Sequence, residues 1–227
     1  MISWGAKAIG AVLLVAFVLP GALDGRASPV SPSAAHTGVL RDTHKWSKAG
    51  LVIPGGGRTY AAQDGRCPMA VTGTSYVNPL AGARVKPERI DQGVDYAGTG
   101  TLAAIGPAQI VYLGTENTGW PGAFIEYQLL DGPDAGCYVF YAEGINPEPG
   151  LQVGEAVTAG RPLATIIPGY PTGIELGWAA GTGTKTYAAF TQQWTASDDQ
   201  NNVASWPGKR FSALIASLGG PPGKTEG

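Results

Sequence analysis

The sequence reads as a mainly β protein, an antiparallel sheet or sandwich core followed by one helix near the C-terminus. Short runs rich in Val, Ile, Tyr and Thr recur between about residues 66 and 190, divided by Gly and Pro at strand-and-turn intervals. Glycine (35) and proline (18) are used heavily, while charged residues make up only 14% of the chain. That composition favours tight turns over long solvated helices. Near the end, Phe211, Leu214, Ile215 and Leu218 repeat at i, i+3, i+4 and i+7 before Gly219-Gly220-Pro221. This is an amphipathic helix with a stop signal, expected over about 208–218.

The chain opens with Lys7 and an apolar run, residues 8–19, too short to span a bilayer comfortably. Small residues follow, so residues 1–27 read as an export signal with cleavage after Ala22 or Ala27. Residues 28–65 are a Ser/Pro/Gly-rich spacer. Residues 66–190 hold the strand runs TLAAIG, AQIVYLG, AFIEYQLL, CYVFYAE and PLATII. Alternation is plain in Phe124-Ile125-Glu126-Tyr127 and in Tyr138-Val139-Phe140-Tyr141. Residues 191–227 form an extension carrying the helix.

With 15 basic and 17 acidic side chains, the chain has no basic face for nucleic acid and no polybasic lipid anchor. Two cysteines are present, Cys67 and Cys137. In an exported protein a single disulfide is the natural pairing, and two buried thiols are the alternative. No His or Cys lies near them at zinc-ligand spacing. An extracytoplasmic monomer is the expected form.

The stretch RIDQGVDYAG, residues 89–98, raises the functional question. Asp91-x-Gly93-x-Asp95 is followed by Tyr141-Ala142-Glu143, then Val153-Gly154-x-x-Val157-x-x-Gly160, then Gly173-Ile174-Glu175-Leu176-Gly177-Trp178. In this order the elements resemble the LytM-like (M23) zinc endopeptidases that cut peptidoglycan cross-links, over roughly residues 78–180. The resemblance implies a β core with a groove into which strands present metal ligands. It places the family's zinc histidines at Asp91 and Gly177, its metal-binding aspartate at Asp95, and its other site histidines at Glu143 and Glu175. Every histidine is therefore replaced; the chain's only two, His36 and His44, lie in the spacer. Without imidazoles a His/Asp/His zinc site cannot be assembled.

Three of the four replaced histidines have become acids. If the resemblance holds, Asp91, Asp95, Glu143 and Glu175 converge in one groove, where repulsion and burial should lift at least one pKa towards neutrality. A protonated acid beside an ionised one is the pairing that glycoside hydrolysis uses. Gln92, Tyr96, Trp120, Tyr141 and Trp178 are then candidate substrate contacts, the aromatics through stacking or as packing residues. Three readings compete: a cell-wall glycan hydrolase using these carboxylates, a catalytically silent module that binds peptidoglycan or regulates a partner hydrolase, and an oxygen-ligand site for a divalent cation. Asp91 and Asp95 are expected on one strand-like segment, their even separation sending both to one face.

Overall fold

The computed structural model describes residues 67–72 and 75–225. The expected signal segment and spacer, residues 1–65, lie outside the described residues. Nine strands form one curled antiparallel sheet: β1 (Gly82–Ile90), β2 (Val94–Ala103), β3 (Ala108–Gly114), β4 (Ala123–Leu129), β5 (Tyr138–Glu143), β6 (Ile145–Pro147), β7 (Ala156–Val157), β8 (Pro162–Ile166) and β9 (Ile174–Ala179). They are ordered β6-β8-β2-β9-β5-β4-β3-β7, with β1 paired to β2. The architecture is the mainly β, antiparallel one that the sequence indicates. Among the described residues no helix is long and apolar enough to cross a membrane.

Period-two alternation decides what each central strand shows to which side. Val94, Tyr96, Ile125, Tyr127, Val139, Tyr141, Ile174, Leu176 and Trp178 enter one large core. Their neighbours Phe124, Phe140 and Ala142 form a second, smaller cluster on the opposite face, with Trp120 packed against it. Asp95 and Glu175 stand on that second face, directly opposite each other across β2 and β9.

The C-terminal helix α3 spans Trp206–Ser217, starting two residues before the expected position. Ser205 caps it, its side chain accepting from the Gly208 N–H at 3.0 Å, and Pro207 occupies the first turn. Phe211, Leu214 and Ile215 are fully buried, and Phe211 meets Trp178 edge-on at 5.5 Å. Two short helices were not expected from the sequence: α1 (Tyr187–Phe190) and α2 (Ala196–Gln200). Thr186 caps α1, which buries Tyr187 and Ala188, while α2 opens on a capping box at Thr195 and buries no residue.

Cys67 and Cys137 are joined, with Cα atoms 5.3 Å apart. Nearby, Asp134 Oδ1 accepts from the Ala70 N–H at 2.6 Å, and Arg210 Nε donates to Met69 O at 2.9 Å. The disulfide therefore fastens the start of the described chain to the β4–β5 connection. It closes a loop of 70 residues, and in the chain-entropy account such a link contributes about 4 kcal/mol. Replacing both cysteines by alanine should lower the unfolding free energy by about 2–4 kcal/mol in urea titration; an unchanged midpoint would contradict that role.

Candidate functional site

Asp91 lies in the turn between β1 and β2, not on a strand shared with Asp95. The tight Asp91-Gln92-Gly93 connection reverses the chain there. Asp91 Oδ1 accepts from the Gly93 N–H at 3.2 Å, the local side-chain-to-backbone bond that suits Asp to turns. Asp91 O in turn accepts from the Ser205 N–H at 2.9 Å, tying the turn to the start of α3.

Even so, the acids meet. One oxygen from each of Asp91, Asp95 and Glu175 lies within 4.8 Å of the others. Asp91 and Glu175 are buried, and Asp95 is half-buried. Glu175 hydrogen-bonds Asp91, while its Oε1 is buried with no hydrogen-bond partner. Glu143 ends β5 with a φ of 75°, a left-handed backbone that glutamate seldom adopts. It is half-buried, hydrogen-bonds Thr172 and adds its charge to those of Asp91 and Asp95.

The residue that organises this cluster was absent from the candidates. Arg89 Nη2 lies 2.9 Å from Asp91 Oδ2 and Nε lies 3.0 Å from Asp95 Oδ2. The same Nη2 reaches Asp199 Oδ1 of α2 at 2.6 Å, and Nη1 donates to Asn202 Oδ1 at 3.4 Å. One planar guanidinium thus serves three carboxylates, which its fixed fork of five N–H donors allows and a lysine ammonium would not match. Arg89 sits two residues before Asp91, inside the stretch that raised the question. The local signal for it was the Arg-x-Asp spacing, set among other charged residues, Arg84, Lys86 and Glu88, that did not single it out.

Burial dominates the electrostatics. It lifts Asp95 to about 8, helped by Asp91 and Glu143 and opposed by Arg89. Burial likewise lifts Glu143 to about 7 against its Thr172 hydrogen bond. Glu175 is held well above the ordinary carboxyl range by burial, then by Asp91 and Asp95, all of which favour its protonated form. Burial alone would lower Arg89, but Asp199, Asp91 and Asp95 together keep its charge firmly in place.

The zinc ion that the family resemblance implies does not fit these residues. The donor set is entirely carboxylate, and a guanidinium already sits on two of its members. At Gly177, a Cβ would lie 2.7 Å from Phe140 Cε1 and 2.8 Å from Gly93 Cα. There is no room for a ligating side chain at that position. Gly93 is equally constrained, since a Cβ there would lie 2.4 Å from Leu176 O and 2.9 Å from Glu175 Oε1.

Of the expected substrate contacts, Tyr96, Tyr141 and Trp178 are fully buried in the core. Tyr96 and Trp178 stand an odd number of residues from Asp95 and Glu175, so strand alternation sends them to the other face. Tyr96 Oη donates to Pro221 O at 2.9 Å, and Tyr141 Oη donates to Ala103 O at 2.7 Å. Gln92 Oε1 accepts from Thr186 Oγ1 at 2.6 Å. Of these candidate aromatics only Trp120 is half-exposed, packed on the second cluster 5.4 Å from Phe124 and 5.6 Å from Phe140 between ring centroids.

A second buried acid was also missed. Glu126 accepts from the Gly181 N–H at 2.7 Å and the Gly183 N–H at 3.0 Å. Burial lifts it to about 7 despite these bonds. It anchors the turn after β9, whose Thr184 O accepts from Trp120 Nε1 at 2.9 Å. This turn walls one side of the aromatic cluster.

No family model matches the chain, and no curated protein matches it. Solved structures similar to it include lysostaphin, at 19% identity and TM-score 0.36 over 47% of this chain and 48% of that one. Csd3 of Helicobacter pylori is similar at 17% identity and TM-score 0.34, over 52% of this chain and 33% of that one. A third is cbpa from L. salivarius REN, at 11% identity and TM-score 0.39, over 64% of this chain and 97% of that one. The chain thus spans about half of lysostaphin's length.

The raised acids set a pH dependence. Asp95, Glu143 and Glu175 all bind their protons more tightly folded than unfolded. An acid raised by folding favours the fold fully below its unfolded pKa, about 4, and that advantage shrinks as pH climbs through the folded value. The thermal midpoint should therefore fall between pH 5 and pH 8, with ~1 kcal/mol moving it by ~2–4 °C at this size. Asp95→Asn, which keeps shape but cannot ionise, should flatten the slope. A midpoint that rises across this window would contradict the assignment.

Proposed function

We propose that this chain is a cell-wall-directed module of the LytM type that binds peptidoglycan without cutting it. The carrying observation is that Arg89 occupies two of the three clustered acids, while the third, Glu175, is buried and bonded to Asp91. A glycosidase needs two carboxyls with a sugar carbon or a water between them, separated by about 5 Å or by roughly 6.5–9.5 Å. Asp91 and Glu175 are in direct hydrogen-bond contact, which leaves no such space. The cell-wall direction rests on the ordered motifs around Asp91, Glu143, Gly154 and Glu175 and on the export-type N-terminus, and the disulfide fits an oxidising compartment. The binding surface in this reading is the sheet face that carries Asp95, Glu175 and the second aromatic cluster, where Trp120 offers a half-exposed ring against Phe124 and Phe140.

A hydrolase is the second reading, and Glu143 favours it. It is half-buried, strained in φ and lifted to about 7, the range of a general acid at neutral pH. Asp95, lifted to about 8, holds its proton more tightly than Glu143 and so does not supply the ionised partner that such a pair needs, which leaves this the weaker reading.

One experiment separates the two. Purified protein is incubated with isolated peptidoglycan, and both the pellet and the soluble products are measured. The binding reading expects protein in the pellet, no new reducing ends and no new amino termini. Trp120→Ala should weaken retention by about threefold to tenfold, since an aromatic stacking contact contributes ~0.5–1.5 kcal/mol. New reducing ends that disappear in Glu143→Gln would establish the hydrolase instead. A protein that stays in the supernatant and releases nothing would remove both.

A further inference from the structure

The acidic cluster has the layout of a cation site, and a cation is already in it. Asp91, Asp95 and Glu175 each hold one oxygen within 4.8 Å of the others'. That is the oxygen-only donor set that Ca²⁺, Mg²⁺ or Mn²⁺ takes, and not the nitrogen and sulfur set of zinc. Glu175 Oε1 is buried beside them with no donor to satisfy it, an arrangement that costs free energy unless a ligand can use it. The positive charge at this place comes from the chain's own Arg89, whose Nη2 and Nε contact Asp91 and Asp95 at 2.9 and 3.0 Å.

We propose that the Arg89 guanidinium is the built-in cation of this site, standing in for a divalent metal ion, and that its removal turns Asp91, Asp95 and Glu175 into an oxygen-ligand metal site. A guanidinium carries one charge and five directed donors, so it neutralises and cross-links the acids without any external ion. It also does what a free ion could not. Because Arg89 Nη2 bonds Asp199 at 2.6 Å and Nη1 bonds Asn202, the same group latches the segment around α2 onto the β1–β2 turn. A metal ion entering the intact protein would have to expel Arg89 and release that latch, so the wild type should be closed to divalent cations.

The test is calorimetric titration of the purified full chain with MnCl₂, CaCl₂ and ZnCl₂, alongside thermal melts with and without each ion. Wild type should show no saturable binding and no shift in its midpoint. Arg89→Ala should bind one Mn²⁺ or Ca²⁺ per chain and gain thermal stability from it, and Arg89→Ala combined with Glu175→Gln or Asp95→Asn should lose that binding. If Arg89→Ala does not fold in buffer, the expected result is recovery of the folded state when Mn²⁺ or Ca²⁺ is supplied. Saturable divalent binding by wild type that Asp95→Asn abolishes would overturn the proposal. So would a folded Arg89→Ala that binds no ion, or an unfolded one that no ion restores. Retention on peptidoglycan is a separate readout, so failure here leaves the binding reading to its own test.

Discussion

The arrangement of the acidic face depends on one side chain meeting three carboxylates. Asp91, Asp95 and Glu175 are brought within 4.8 Å by the β1–β2 turn and the β2–β9 register. Left to themselves, several carboxylates at that separation cannot all ionise in a buried place. Two devices resolve the conflict. Burial and its acidic neighbours favour the protonated form of Glu175, which bonds Asp91, and Arg89 supplies a fixed positive charge to Asp91, Asp95 and Asp199. A buried ion pair is weak evidence for stability by itself, because desolvation offsets much of the attraction. Removing one partner is another matter, since it strands the remaining charges.

The packing around the cluster makes this solution hard to undo. Gly93 and Gly177 bring the turn against β9 so closely that neither position admits a side chain. Phe140 fills the volume beside Gly177 and stacks on Phe124, with ring centroids 5.4 Å apart. Ser205 holds Asp91 from behind and caps α3, whose Phe211 locks onto Trp178. The site is therefore continuous with the core through two short paths, one through the backbone of the turn and one through the aromatic cluster. Placing an imidazole at Gly177 would require moving both Phe140 and the Gly93 backbone, not a single substitution.

Much of this was legible in the sequence because it follows from periodicity. The strand runs, the helix face of Phe211, Leu214 and Ile215, and the pairing of Cys67 with Cys137 appear in the structure as read. The meeting of Asp95 with Glu175 was legible only through the family resemblance, since cross-strand register is not written in local spacing. Asp91 shows the opposite case. Even spacing suggested a shared strand, whereas an Asx turn places Asp91 beside Asp95 by another route. Tyr96 and Trp178 could have been excluded by parity, being an odd number of residues from Asp95 and Glu175. Arg89 was less accessible. Its three carboxylate partners lie 2, 6 and 110 residues away, and nothing local predicts the last. Glu126 was hidden similarly, its donors lying in a turn 55 and 57 residues on.

The measurement that bears most directly on the central interaction is a double-mutant cycle between Arg89 and Asp91. Unfolding free energies of wild type, Arg89→Met, Asp91→Asn and the double variant would be compared at pH 7 in urea. If the guanidinium holds the cluster together, each single change is costly and the double costs clearly less than their sum, with a coupling of more than ~1 kcal/mol. Additive effects, within about 0.5 kcal/mol, would mean that Arg89 and Asp91 act independently, and that the acids are held by the fold alone.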